Sequence, residues 1–317
     1  MEEKSFQELL GIKTAEVQQV ISKVLERYLK EKDELPYVHT ILEAMEYSFM
    51  AGGKRLRPLL MRETYQLLGG EGKSGQASLG EFMTALEMIH TYSLVHDDLP
   101  AMDNDEYRRG KETTWKVYGD GMAVLAGDAL MNSAFEIAFS EISRTLSSDK
   151  SLEEKGRIAG CGEMLAKKAG IDGMLGGQVA DVEAEKKNLP MDMDKILFIH
   201  EKKTAALIEA AMGIGAMLSG AGDEEIKKVL QIARKVGIAF QIQDDVLDVI
   251  GDSKELGKSV GSDAQSGKET YVTLCGLEKS KQEVARLSEE AAALLQELPG
   301  DHDFLEELIL HLIYRKK

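Results

Sequence analysis

The run Phe82-Met83-Thr84-Ala85-Leu86-Glu87-Met88-Ile89-His90-Thr91-Tyr92-Ser93-Leu94-Val95-His96-Asp97-Asp98-Leu99-Pro100-Ala101-Met102-Asp103 carries apolar residues at spacings of three and four and then ends in carboxylates. A second run has the same plan and closes on Phe240-Gln241-Ile242-Gln243-Asp244-Asp245-Val246-Leu247-Asp248. Comparable periodic stretches cover 17–29, 124–142, 226–250 and 284–298, with only five prolines in the whole chain. Alternating strand-like runs between turns are missing. The pattern predicts an all-α protein of long helices.

The aspartates define the chemistry. Three carboxylates crowded at one helix end repel one another, and a cation relieves that. Oxygen ligands without nearby sulfur suit magnesium, which takes one or two carboxylates plus phosphate oxygens. Gln241, Asp244, Asp245 and Asp248 share one helical face. Asp97 and Asp103 are not in helical register, and Pro100 lies between them. The helix is expected to end near Asp98, with a turn returning Asp103 toward it. Arg108-Arg109-Gly110 follows, and guanidinium forks suit phosphate. Adjacent residues point apart, so the two arginines are expected to serve different phosphates. Gly52-Gly53-Lys54-Arg55-Leu56-Arg57-Pro58 is a plausible anion site at a helix start. His90 lies two turns before Asp97, though a lone helical histidine is usually structural. Lys202-Lys203-Thr204, Lys258, Lys268 and Gly176-Gly177-Gln178 with Asp181 complete the polar patches.

Composition sets limits. The chain has 317 residues, 43% of them hydrophobic, enough for a large core. Its net charge of −16 argues against nucleic acid and anionic membrane as partners, so an anionic substrate must be drawn in by local cations. Cys161 and Cys275 lack metal-site spacing and suit free thiols in a reducing cytoplasm. The N-terminus is acidic without an apolar signal region. The most apolar stretch, 205–222, is broken by Glu209 and glycines and reads as a buried core helix, not a membrane span. Loops are expected at 69–75, at Asn188-Leu189-Pro190 and over 251–267. No linker divides the chain, so one domain over 1–317 is expected.

Taken in order, GGKRLRP, LVHDDLPAMD with RRG, GGQVAD, KKT, FQIQDDVLD and LGK followed by KETYV resemble the short-chain trans-prenyl diphosphate synthases, most closely the bacterial farnesyl diphosphate synthases. They run from about Gly52 to Tyr271. The resemblance implies the isoprenoid synthase fold, a single-domain helix bundle around a deep central cavity, and usually a homodimer. It implies a head-to-tail condensation of isopentenyl diphosphate with an allylic diphosphate, dimethylallyl or geranyl. By position, Asp97, Asp98, Asp103, Asp244 and Asp245 are then ligands for about three Mg2+ ions. Arg108, Lys203 and Lys258 complete the allylic diphosphate site. Gly53, Lys54, Arg57, His90 and Arg109 form the isopentenyl diphosphate site. Magnesium assists ionisation of the allylic C–O bond as a Lewis acid. The dipoles of Thr204 and Gln241 are suited to the resulting cation. No dedicated protein base is evident, and the released diphosphate takes that role in the family.

Tyr92 and Ser93 lie about a turn deeper than Asp97 and are expected to set product length, with a farnesyl product favoured and geranylgeranyl the alternative. After Gly261 this chain has Ser262 where many relatives have Lys. A terpene cyclase fits poorly, because its second metal motif differs. A non-catalytic regulatory subunit fits poorly too, because both aspartate motifs are intact.

Overall fold

The computed structural model describes residues 5–73, 75–186, 191–250 and 269–314. Lys258, Ser262, Lys268 and the turns expected at Asn188-Leu189-Pro190 and 251–267 lie outside the described residues. Two compact units emerge: Met1–Gln66 with Gly70–Glu163 and Met217–Gly220, and Leu67–Gly69 with Met164–Ala216 and Ala221–Lys317.

In the first unit α1 (Phe6–Lys32) opens on a capping box, Ser5 Oγ accepting from Glu8 N–H and Glu8 Oε2 from Ser5 N–H. It is followed by α2 (His39–Phe49), α3 (Leu56–Leu67) and α4 (Gln76–Asp97). The strands β1 (Tyr107–Arg108) and β2 (Lys111–Glu112), then α5 (Thr114–Tyr118), α6 (Asp120–Leu146) and α7 (Leu152–Ala169, its last residues grouped with the second unit), come next. Helix α4 packs along α6, with α1 and α2 also against it. Accordingly it is apolar nearly all round: Phe82, Leu86 and Ile89 are wholly buried. Each such side chain contributes about 1.5–3 kcal/mol. A Cβ at Gly127 of α6 would lie 2.1 Å from His96 Nε2, so glycine there lets α6 close on the functional end of α4.

The second unit comprises α8 (Met174–Lys186), α9 (Met193–Ile199), a π-turn (His200–Ala205), α10 (Ala206–Ser219, its last residues grouped with the first unit) and α11 (Asp223–Ile250). The chain continues through α12 (Tyr271–Cys275), α13 (Leu277–Gln296) and α14 (Asp303–Ile313). Helix α11 lies on α13 and the π-turn. The apolar stretch expected to be core is core: Leu207, Ala210, Ala211, Met212, Ile214 and Ala216 of α10 are fully buried. Glu209, the charge within it, bonds Lys168. All-α holds throughout the described residues except for the two-residue strands, which periodicity did not anticipate.

Candidate active site

Helix α4 stops where the sequence predicts, at Asp97 with Asp98 as its cap, because Pro100 cannot extend it. The chain then folds back: Met102 N–H donates to Leu99 O at 2.8 Å and Asp103 N–H to Asp97 O at 2.9 Å. That bond returns Asp103 to Asp97 despite their six-residue separation. Arg108 reaches the same turn. Its Nε donates to Asp98 Oδ1 at 2.6 Å, and its Nη2 lies 3.5 Å from Asp105. Asp98 is buried, which pushes its carboxyl pKa up, and the Arg108 bond opposes that.

The two arginines part at the hairpin. Tyr107 pairs with Glu112 and Arg108 with Lys111, leaving Arg109-Gly110 as a two-residue turn with φ of 55° and 77°. Positive φ at both positions is the hairpin geometry that matches strand twist. It sends Arg109 away from Arg108, and its Nη1 donates to Gly52 O. Gly53, at φ 131°, has no room for a Cβ beside that guanidinium. The hairpin is tied down by Thr113 Oγ1 and Trp115 Nε1, which both donate to Asp105 O, at 2.8 and 2.9 Å.

Around Gly53 the first unit gathers cations. Arg57 lies in the first turn of α3, and its Nε is buried without a hydrogen-bond partner among the described residues. Burial lowers its pKa, and Arg109 nearby adds to that. Lys54 is exposed beside it. On α4, His90 is held well below its ordinary pKa of 6.5 by burial and then by Arg57, Arg109, Arg108 and Arg55. It is therefore a neutral imidazole within a positive field, and an arriving anion lowers the cost of that field. Arg55, the middle cation of the motif, is different: it is buried and bonded to protein.

In the second unit Lys203 and Thr204 sit in the π-turn. A Cβ at Gly177 of α8 would fall 2.2 Å from Lys203 N, and one at Gly237 of α11 would fall 2.4 Å from Ala205 Cα. The turn is gripped from both sides by glycines. Such single π-turns recur at functional sites. Lys203 Nζ donates to Asp181 Oδ2 at 2.6 Å, and Thr204 Oγ1 to Gln241 Oε1 at 2.8 Å. These residues, with His200, Asp245, Ile196 and Ile199, line a cavity of about 150 Å³. Asp245 Oδ2 accepts from Tyr271 N–H at 3.0 Å and lies 3.5 Å from His200 Nε2. Asp244 and Asp248 are less buried, one turn apart on α11.

Among the described residues no three His, Cys, Asp or Glu side chains converge on one point. What the chain offers is carboxylate pairs, Asp97 with Asp103 and Asp244 with Asp248, all oxygen donors. That donor set fits a hard cation whose other ligands are waters and phosphate oxygens. On the α4 face deeper than Asp97, Tyr92 is buried with its ring edge-on to His96 (centroids 5.8 Å apart), and Ser93 Oγ donates to His90 O at 2.9 Å.

A family profile described as "Polyprenyl synthetase" matches residues 38–301. The chain belongs to the polyprenyl synthetase family. Among curated members, the farnesyl diphosphate synthase of Bacillus subtilis is 42% identical over 278 residues, 88% of this chain and 89% of that one. The chloroplastic geranylgeranyl pyrophosphate synthase of Capsicum annuum is 45% identical over 81% of this chain, which spans 66% of that longer relative. Among solved structures, a geranyltransferase from Helicobacter pylori, complexed with magnesium and isoprenyl diphosphate, superposes with a TM-score of 0.73 at 32% identity, covering 95% of this chain and 96% of that one. Members of the polyprenyl synthetase family are prenyltransferases, and the helical fold is theirs. Sequence reasoning missed Glu87, His200 and the Asp105 anchor. Glu87 alone left a trace, as a carboxylate inside an otherwise apolar helical run.

Proposed function

We propose that this chain is a short-chain prenyl diphosphate synthase that joins isopentenyl diphosphate head to tail to dimethylallyl and geranyl diphosphate and releases the fifteen-carbon farnesyl product. One observation carries the reading: Arg108 and Arg109 diverge into two unlike surroundings in the first unit. Arg108 joins a site rich in carboxylates, Asp97, Asp98 and Asp103. Arg109 joins one built of cations and neutral His90. A diphosphate that must depart needs metal neutralisation, and one retained through the reaction needs only cations. Two substrates with those two fates match the pair.

Asp97, Asp98, Asp103, Asp244 and Asp245 are read as the metal's carboxylates, Asp98 also accepting from Arg108 and Asp245 from Tyr271 N–H. Magnesium, when bound, supplies Lewis-acid neutralisation of the leaving diphosphate. The chain's own residues do the rest. Arg108, Lys203 and Lys258 hold the allylic diphosphate. Gly53, Lys54, Arg57, His90 and Arg109 hold the isopentenyl one. Thr204 gives its hydroxyl hydrogen to Gln241, so its oxygen lone pairs remain for the allylic cation. Ile196 and Ile199 keep that surface dry. Tyr92 is read as the floor that stops growth at fifteen carbons. A twenty-carbon product is the second reading, since relatives of both kinds match.

Residues 1–317 are read as one synthase domain, because the family match takes in residues of both units. Helix α6 is long and apolar enough to cross a membrane, yet only 44% of its most apolar window is buried. Val124, Leu125, Phe139 and Leu146 are exposed on it, with exposed Asp128 and Asn132 between them. A second copy of the chain is the proposed cover, giving a homodimer without integral membrane association. Cys161 and Cys275 are both free thiols, which suits the cytoplasm.

The test is direct. Labelled geranyl and isopentenyl diphosphates with magnesium should yield fifteen-carbon alcohol after phosphatase treatment. Asp97→Ala or Asp244→Ala should cost on the order of a thousandfold in turnover. Turnover that persists in excess chelator would sink the metal-dependent reading.

A further inference from the structure

Arg55 lies between two residues assigned to substrate, Lys54 and Arg57, but spends its guanidinium on the protein. Nε donates to Gln18 Oε1 at 2.6 Å, Nη1 to Glu87 Oε1 at 2.7 Å and Nη2 to Phe49 O at 2.5 Å. The guanidinium also stacks 5.2 Å above the Phe49 ring centre. Both partners of the ion pair are buried, their side chains 2% and 4% exposed. Arg55 holds this place at a φ of 48°, two residues after Gly53 (131°) and three after Gly52 (94°), which also have positive φ. A residue with a Cβ keeps such a conformation only where its surroundings impose it.

We infer that Arg55 and Glu87, braced by Gln18, are a positioning pair that sets the geometry and charge of the cation pocket around Gly53, Arg57, His90 and Arg109. The inference rests on the reading of that pocket as the isopentenyl diphosphate site. Neither residue of the pair reaches substrate in this arrangement. Arg55 belongs to the turn that presents Lys54 and Arg57, and Glu87 sits on α4 one turn before His90. The pair therefore locks together the two elements that supply the pocket. It also answers a charge problem. Four arginines act on His90, and Asp98 is already taken by Arg108. Glu87 is the carboxylate whose field supports the charged state of both Arg57 and Arg109 against burial. Without it those guanidiniums repel one another before any anion arrives.

The test separates position from charge. Arg55→Lys keeps the charge, but one ammonium cannot span three acceptors in the planar fork. KM for isopentenyl diphosphate should rise on the order of tenfold, with KM for geranyl diphosphate and kcat within about twofold. Inorganic diphosphate, titrated calorimetrically in excess chelator, should bind the variant more weakly by a similar factor. Gln18→Ala removes only the outer brace and should give a smaller rise in the same KM. Should Arg55→Lys fail to fold, Gln18→Ala decides. Equal rises in both KM values, or an unchanged isopentenyl diphosphate KM in the folded variant, overturn the inference. A wild-type chain that binds diphosphate yet never condenses prenyl substrates would defeat the proposed function alone. The chelator titration would still read the positioning pair.

Discussion

Replacing Gly177 with alanine tests whether the π-turn is held as tightly as its packing implies. The added Cβ would lie 2.2 Å from Lys203 N and 2.7 Å from both Lys202 C and Lys203 Cα. Carbon contacts become comfortable near 3.5 Å, so α8 and the turn must separate by about 1 Å. The obstacle is backbone and cannot swing aside. Lys203 and Thr204 move with it, and a shift of about 1 Å in positioning groups costs on the order of a hundredfold in rate. That is about 2.7 kcal/mol of transition-state stabilisation. The measurement is kcat at saturating geranyl and isopentenyl diphosphates, with thermal unfolding in parallel. Gly11→Ala is the control, because its Cβ meets nothing within 4 Å. If Gly177→Ala folds and retains kcat within about threefold of wild type, the π-turn is not rigidly held by α8.

Arg108→Ala should chiefly raise the KM for the allylic substrate and Arg109→Ala that for isopentenyl diphosphate; steady-state titration of each substrate reads the split, and equal effects refute it. Tyr92→Ala should move products to twenty carbons or more with little loss of turnover, seen by chromatography of the dephosphorylated alcohols; a product still fixed at fifteen carbons would place the floor elsewhere. His90 has a folded pKa depressed below 6.5, first by burial and then by Arg57 and its neighbours. Below that value the unfolded chain binds the extra proton, so this contribution to stability is complete above pH 6.5 and is lost as pH falls toward the depressed value. His90→Gln should thus narrow the difference in melting temperature between about pH 7.5 and about pH 5; an unchanged difference would show the imidazole is not held neutral.

The long helices and the return of Asp103 could be read from the chain because apolar period and Pro100 act locally. So could the divergence of Arg108 and Arg109, although not its cause. The hairpin that produces it has strands of two residues, too short for any alternation, and its turn depends on Arg109 adopting positive φ. Likewise Arg55 and Arg57 look equivalent in sequence. They differ only because a left-handed backbone turns the first toward Glu87, 32 positions along the chain, and leaves the second at the start of α3. The π-turn left no local trace, since its makers, Gly177 and Gly237, lie on other helices.

That turn has a bearing on how this chain tolerates changes in length. Helices α9 and α10 run into each other through His200–Ala205 without a break, so the π-turn amounts to one surplus residue accommodated within a single helical rod. Deleting one residue inside the turn would let it relax to regular α-helix with α9 and α10 still in register, whereas a deletion elsewhere in the rod would rotate the residues between it and the turn by about 100°. Ile196, Ile199, Ala206 and Ala210 are all buried, so a deletion within the turn would keep both pairs facing the core and one at either end of the rod would turn one pair away. Loss of a single codon is therefore best tolerated within 200–205, and length on either side of the turn should be the stiffer constraint on any redesign of this segment.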